Sequence, residues 1–178
     1  MSTLQVVSQQ IPVGTWQSDP AHSHVEFAVK HLGIATVRGR FGDFEATLVG
    51  GDEPSLSGVI RTSSIDTHDE TRDQHLRSPE FFDSERYPEA RIEALRIEDG
   101  TITADLTIKD LTREVELTAE TAGPVEDPFG NLRLGLDLEG EIDRTDFGLT
   151  WNAPLPGGGF LVGSTVRLSA SLSFVQAA

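Results

Sequence analysis

An all-β chain with one short helical insert is the fold class this sequence predicts, and three observations predict it. Apolar and polar residues alternate with period two in about eight separate segments. Gly, Pro, Asn and Asp clusters punctuate those segments at close intervals. One stretch, residues 67–83 (THDETRDQHLRSPEFFD), breaks the pattern with crowded charged and imidazole residues, a serine–proline restart and two adjacent phenylalanines.

The elements follow in order. Residues 1–13 read as a flexible leader, and residues 14–178 as a single domain. Trp16 opens a first strand that continues past Asp19-Pro20 through His24–His31, where Val25, Phe27 and Val29 share one face and His24, Glu26 and Lys30 the other. Gly33 ends it. A second strand spans Val37 to Leu48, with Gly42-Asp43 interrupting the alternation as a bulge does. Gly50-Gly51-Asp52 turns into a third strand, Leu56 to Ile65.

The helical insert follows. Asp66 or Thr67 is the expected N-cap, and Asp69-Glu70 suit the positive end of the helix dipole. Ser78-Pro79-Glu80 reads as the start of a second short turn, delivering Phe81 and Phe82 to the interior. Ala90–Ile97 is a fourth strand with an irregularity at Ala94-Leu95, and Asp99-Gly100 is a hairpin signal. Ile102, Ala104, Leu106 and Ile108 then share a face, as do Val115, Leu117 and Ala119. Leu132 to Leu138 and Val166 to Phe174 repeat the alternation after a loop at Pro124–Gly130.

Each strand has one apolar side that must be covered. Eight antiparallel strands can close into a barrel, which removes exposed edges and can enclose one small ligand. A two-sheet sandwich satisfies the same pattern. The long helical crossover between the third and fourth strands favours the barrel, with the helix near one end.

Composition narrows the function. The chain has 178 residues, 14 Lys+Arg against 29 Asp+Glu, and a formal charge of −15. An acidic excess spread along the chain disfavours nucleic acid and anionic membrane surfaces as partners. With no cysteine, disulfides, thiolate nucleophiles and cysteine metal sites are excluded. No segment approaches the length of a spanning helix, and MSTLQVVSQQIPVG lacks signal-peptide character, so a cytoplasmic location is the expectation.

Catalytic signatures are sparse. No Gly-x-Ser-x-Gly elbow occurs, the glycine run 157–159 lacks the lysine of a phosphate loop, and Asp146-Phe147-Gly148 stands without the rest of a kinase set. His22-x-His24, His31, His68 and His75 have no zinc-site spacing, so no metal and no cofactor is expected.

Several short motifs do come in order: Asp19-x-x-His22-Ser23-x-Val25-x-Phe27-x-Val29-x-His31-x-Gly33, Gly39-x-Phe41, Ser64-Ile65-x-Thr67, Arg72-Asp73-x-His75-Leu76-Arg77-Ser78, Phe81-Phe82-Asp83, Tyr87-Pro88, Leu106-Thr107-Ile108 and Arg144-x-Asp146-Phe147-Gly148. Together they resemble the YceI-like family from Trp16 to Phe174. The resemblance implies a lipocalin-like antiparallel barrel, an elongated lumen holding a polyisoprenoid or similar amphiphilic chain, and a possible homodimer. Lys109-Asp110 stands where a glycine is common in the family, a change expected to affect only a turn.

On this reading Phe27, Phe41, Phe44, Phe81, Phe82, Phe147 and Trp151 line the lumen, and Trp16 is a packing anchor. His22, Arg72, Asp73 and His75 suit the mouth, where arginine and histidine can hold a phosphate or carbonyl head and Asp73 can fix Arg72. The structural alternatives are a filled core, an Arg72–Asp73 ion pair that only pins the helix, and a helix partner in Arg144-Thr145-Asp146. Three functions stay open: an isoprenoid or long-chain lipid binder, a self-filled barrel engaging a protein partner, and an enzyme on a lipid-like substrate.

Overall fold

A computed structural model describes residues 11–98 and 100–177. Eleven strand segments form one antiparallel sheet: β1 (Gly14–Ser18), β2 (His24–His31), β3 (Ala35–Phe41), β4 (Phe44–Gly50), β5 (Ser55–Arg61), β6 (Ile65–Asp66), β7 (Glu89–Glu98), β8 (Thr101–Ile108), β9 (Leu111–Glu126), β10 (Leu132–Asp143) and β11 (Val162–Gln176). Three pairs of segments are single staves with a break. β1 and β2 both lie against β11, with Trp16 opposite Gln176 and Ala28 opposite Arg167. β3 pairs with β2 and β6, while β4 pairs with β1 and β5. The result is a closed eight-stave barrel.

The breaks have local causes. Asp19 accepts a hydrogen bond from Ala21 N–H and starts a 3-10 turn at Pro20–His22, since proline cannot donate to a ladder. At Gly42-Asp43 the ladder is carried by Gly42 N–H to Ser64 O and Arg61 N–H to Asp43 O. The expected irregularity in the fourth stave is a register shift between Ala94 and Arg96. Lys109, at the turn between β8 and β9, sits at φ 59°, a left-handed position that explains why glycine suits it.

The helix α1 (Glu70–Arg77) is shorter than the stretch that signalled it. Its cap is Asp69, whose carboxylate accepts from Arg72 N–H, and neither Asp66 nor Thr67 fills that role. Asp66 instead accepts from His68 N–H. Ser78 ends the helix by donating to His75 O at 2.6 Å, and Phe81 N–H to Ser78 O closes a turn that points the chain back to the barrel.

One half of the barrel is filled. Trp16, Leu48 and Phe174 are wholly buried there with Leu134 and Leu136, each such side chain contributing about 1.5–3 kcal/mol. Of the expected leader, residues 1–10 lie outside the described residues. Ile11 is buried in this core, and Pro12 O accepts from Trp16 Nε1–H. A second cluster, with Phe81, Leu106, Ile142 and Phe147, lies at the end that carries α1, the 32–34 and 109–110 turns and the 144–161 loop. Between the clusters the barrel is hollow. Among the described residues no helix is long and apolar enough to cross a membrane.

Candidate ligand cavity

The hollow has a volume of about 630 Å³ and opens toward the helix end. Its walls are the inward residues that alternation exposes, including Val29, Val37, Ile60, Ile92, Val166 and Leu168. Leu56, Leu117 and Leu172, members of the packed core, make its floor.

Six of the aromatic residues expected in the lumen border this cavity: Phe27, Phe41, Phe44, Phe81, Phe82 and Trp151. Phe41 meets Phe27 at 5.7 Å between centroids and meets Phe82 edge to face at the same distance. Across the mouth, His75 stands edge-on to Trp151 at 4.7 Å and to Phe81 at 5.0 Å. Such contacts fix ring orientation as well as burying area.

Phe147 does not border the cavity. It ends the 3-10 turn Arg144–Phe147 and packs, 1% exposed, in the second cluster behind the wall. No strand alternation governs a 3-10 turn, so the inward assignment had no basis there.

Two of the four head-group candidates reach the mouth. Arg72 and His75 border the cavity together with Asp69, Thr67 and Thr71. Arg72 donates from Nε to Thr67 Oγ1 and from Nη2 to Thr67 O, both at 2.7 Å. His75 Nε2 lies 3.6 Å from Glu80.

His22 and Asp73 are elsewhere. His22 is on the outer surface, with Nδ1 2.9 Å from Asp19. That carboxylate also accepts from Arg133, and the His22 and Arg133 contacts hold its pKa at about 2. Asp73 is buried behind Thr67, accepting from its N–H and its hydroxyl. Among the described residues the Arg72 and Asp73 side chains form no ion pair and are linked through Thr67. A helical spacing of one residue points them in different directions.

Sequence reasoning gave Arg144 the wrong partner. Its side chain is 4% exposed, borders the cavity and donates to four carbonyls, those of Leu149, Trp151, Val162 and Gly163. It is a strap for the 148–163 segment and, among the described residues, makes no hydrogen bond or ion pair with α1. Burial lowers its pKa from the ordinary arginine value, and the four carbonyl dipoles stand in for a counter-anion. The lone arginine beside a glycine-rich loop was the available signal. The aliphatic wall is equally legible in the period-two pattern.

Among the described residues no three His, Asp or Glu side chains are placed to hold a metal ion.

The fold and the motif order have counterparts in known proteins. The sequence profile of the YceI-like domain matches residues 16–174. The chain belongs to the YceI-like family. It is 34% identical over 161 residues to a UPF0312 protein of Staphylococcus aureus, covering 88% of this chain and 94% of the relative. A UPF0312 protein of Pectobacterium atrosepticum is 38% identical over 137 residues, 72% of this chain and 71% of that one. The crystal structure of the YCEI protein of Campylobacter jejuni superposes with a TM-score of 0.70 at 27% identity, covering 84% of this chain and 90% of that chain. A polyisoprenoid-binding domain from Saccharophagus degradans, implicated in plant cell wall breakdown, has the same fold at TM-score 0.67 and 13% identity, covering 93% and 100%.

Proposed function

We propose that this YceI-like chain binds one long-chain lipid, isoprenoid or of similar amphiphilic build, in its barrel and stores or carries it. The observation that carries this reading is a mainly apolar hollow of about 630 Å³ with Arg72 and His75 of α1 at its mouth. That space lies within the roughly 300–1,000 Å³ typical of small-ligand pockets. Burial at about 0.8 kcal/mol per methylene gives a gross gain large enough to exceed the cost of ordering a flexible chain.

In this reading Phe27, Phe41, Phe44, Phe81, Phe82 and Trp151 contact the chain. Arg72, whose guanidinium has no carboxylate within ion-pair distance among the described residues, and His75 meet a phosphate or carbonyl head. The Saccharophagus degradans domain, described as polyisoprenoid-binding, supports the reading through its shared fold. Binding is favoured over catalysis because the hollow offers chiefly shape and apolar surface, the chemistry that holds a hydrocarbon chain. A barrel filled by its own side chains describes only the half around Trp16.

Native mass spectrometry of the purified protein, followed by organic extraction, tests the proposal. A stoichiometric long-chain adduct is the expected result. An empty protein that also fails to take up added polyprenyl phosphate or polyprenyl quinone overturns it.

A further inference from the structure

The charge of this protein is segregated, and the even spread expected above does not hold. None of the 29 Asp and Glu residues falls in residues 27–42 or 147–178, which carry Lys30, Arg38, Arg40 and Arg167. The fold brings these two acid-free stretches together. β2 pairs with β3 on one side and β11 on the other, and Leu32 N–H donates to Leu161 O at 2.8 Å. Two neighbouring tips result at the helix end, the 32–34 turn and the hairpin closed by the Pro154–Phe160 bridge.

Both tips present large apolar side chains to solvent. Ile34 is 82% exposed, Phe160 64% and Leu32 42%. Leu32 sits at φ 58°, a left-handed conformation that glycine or asparagine adopts at lower cost, so turn chemistry does not account for a leucine there. The same tips adjoin the cavity mouth, since His31, Leu161 and Val162 border the hollow. Lys30, whose Nζ donates to Thr36 Oγ1, and Arg38 have no carboxylate within ion-pair distance among the described residues.

We propose that this end of the barrel docks on a lipid bilayer bearing anionic headgroups, with Leu32, Ile34 and Phe160 entering the interface and Lys30 and Arg38 meeting the headgroups. An apolar tip flanked by cations is the chemistry of interfacial binding. Asp69 and Glu70 at the start of α1 and Asp110 of the β8–β9 turn stand at the same end, and screening over about 8 Å at physiological salt limits their repulsion at the tips. The lipid-carrier reading gives the docking its purpose, because a chain could then pass between bilayer and cavity without crossing water.

Flotation with vesicles of phosphatidylcholine containing a quarter phosphatidylglycerol tests the docking, alongside uptake of geranylgeraniol from solution followed by Trp151 fluorescence. The wild type is expected to float. Ile34→Glu with Phe160→Glu, both at exposed positions, should lower vesicle affinity more than about tenfold while uptake stays unchanged. Lys30→Gln with Arg38→Gln should weaken binding to these vesicles and leave binding to pure phosphatidylcholine as it was.

A wild type that does not float, or an Ile34→Glu/Phe160→Glu variant that floats equally well, overturns the proposal. So does a wild-type dimer that this variant splits without any vesicle binding, which would make the tips an interface between copies. Flotation without geranylgeraniol uptake supports the docking and removes the carrier reading.

Discussion

The Asp73 carboxylate accepts both hydrogen bonds that Thr67 can donate, from N–H at 2.9 Å and from Oγ1 at 2.6 Å. With its proton committed, the Thr67 hydroxyl oxygen is left to accept from Arg72 Nε. One buried carboxylate therefore orients the threonine that orients the cation at the mouth. Asp73→Ala leaves two buried donors unpaired and should cost about 2–3 kcal/mol, lowering Tm by roughly 5–10 °C. Asp73→Asn, which keeps an acceptor, should recover much of the loss in the same thermal melts. Equal melts for Asp73→Ala and wild type would remove this network from the fold's support.

Gly39 lets the Phe27 ring cross the sheet. A Cβ at Gly39 would overlap Phe27 Cζ and lie 2.9 Å from Thr67 Cγ2. In Gly39→Ala the ring has one free direction, into the hollow. The variant should stay folded at a cost of about 1–3 kcal/mol and should hold a shorter chain than the wild type. Comparing extracted or competing chains of graded length by mass spectrometry checks this, and an unchanged length preference would place the ligand away from Phe27.

How much of this was legible before the structure follows from what alternation can express. Period two gave the inward faces of β2, β5, β8 and β11, and the Asp19-Pro20 and Gly42-Asp43 interruptions marked real breaks in staves. Alternation gives direction without depth, so it could not say that Leu134 meets a packed core while Ile92 faces open space. It is silent in turns, which is where Phe147 was misplaced. The Arg72–Thr67–Asp73 relay was hidden because its central member is an uncharged threonine, and charge reading looked for an ion pair. Net charge concealed the acid-free tips for a similar reason, being a sum without position.

Phe82 borders the cavity and is held edge to face by Phe41 at 5.7 Å. Phe82→Asp puts a carboxylate where a lipid chain would have to strip its water. An empty hollow can hydrate that carboxylate, so the barrel should remain folded by circular dichroism. Retention of the bound chain should fall more than about tenfold. Unchanged retention in the folded variant would show that Phe82 does not meet the ligand.

Arg144 cannot be replaced conservatively. Its planar fork reaches four carbonyls from three nitrogens, a span that a lysine ammonium does not have. Arg144→Lys should leave buried carbonyls unpaired and cost about 3 kcal/mol. Limited proteolysis should then cut faster within residues 148–161, before the barrel staves. A cleavage pattern identical to wild type would mean that the loop is held by its own hairpin contacts alone.

Arg133 ties the 127–131 loop to the break between β1 and β2 by pairing with Asp127 at 2.8 Å and Asp19 at 2.9 Å. The Arg133 hydrogen bond holds Asp127 at about 2, and the His22 contact followed by that of Arg133 does the same for Asp19, against an ordinary value of 3.8. Both folded pKa values are depressed, so their stabilisation is fully present above the unfolded value. As pH falls from about 4 toward 2 the unfolded chain takes up these protons first, and the contribution is lost. Arg133→Gln should therefore lower Tm at pH 7, and its deficit relative to wild type should shrink across that window. Protonation of the remaining carboxylates affects both proteins alike, so the difference between two melting series isolates the pair. A deficit that stays constant down to pH 2 would mean that Arg133 acts through packing of its stem and not through its charge.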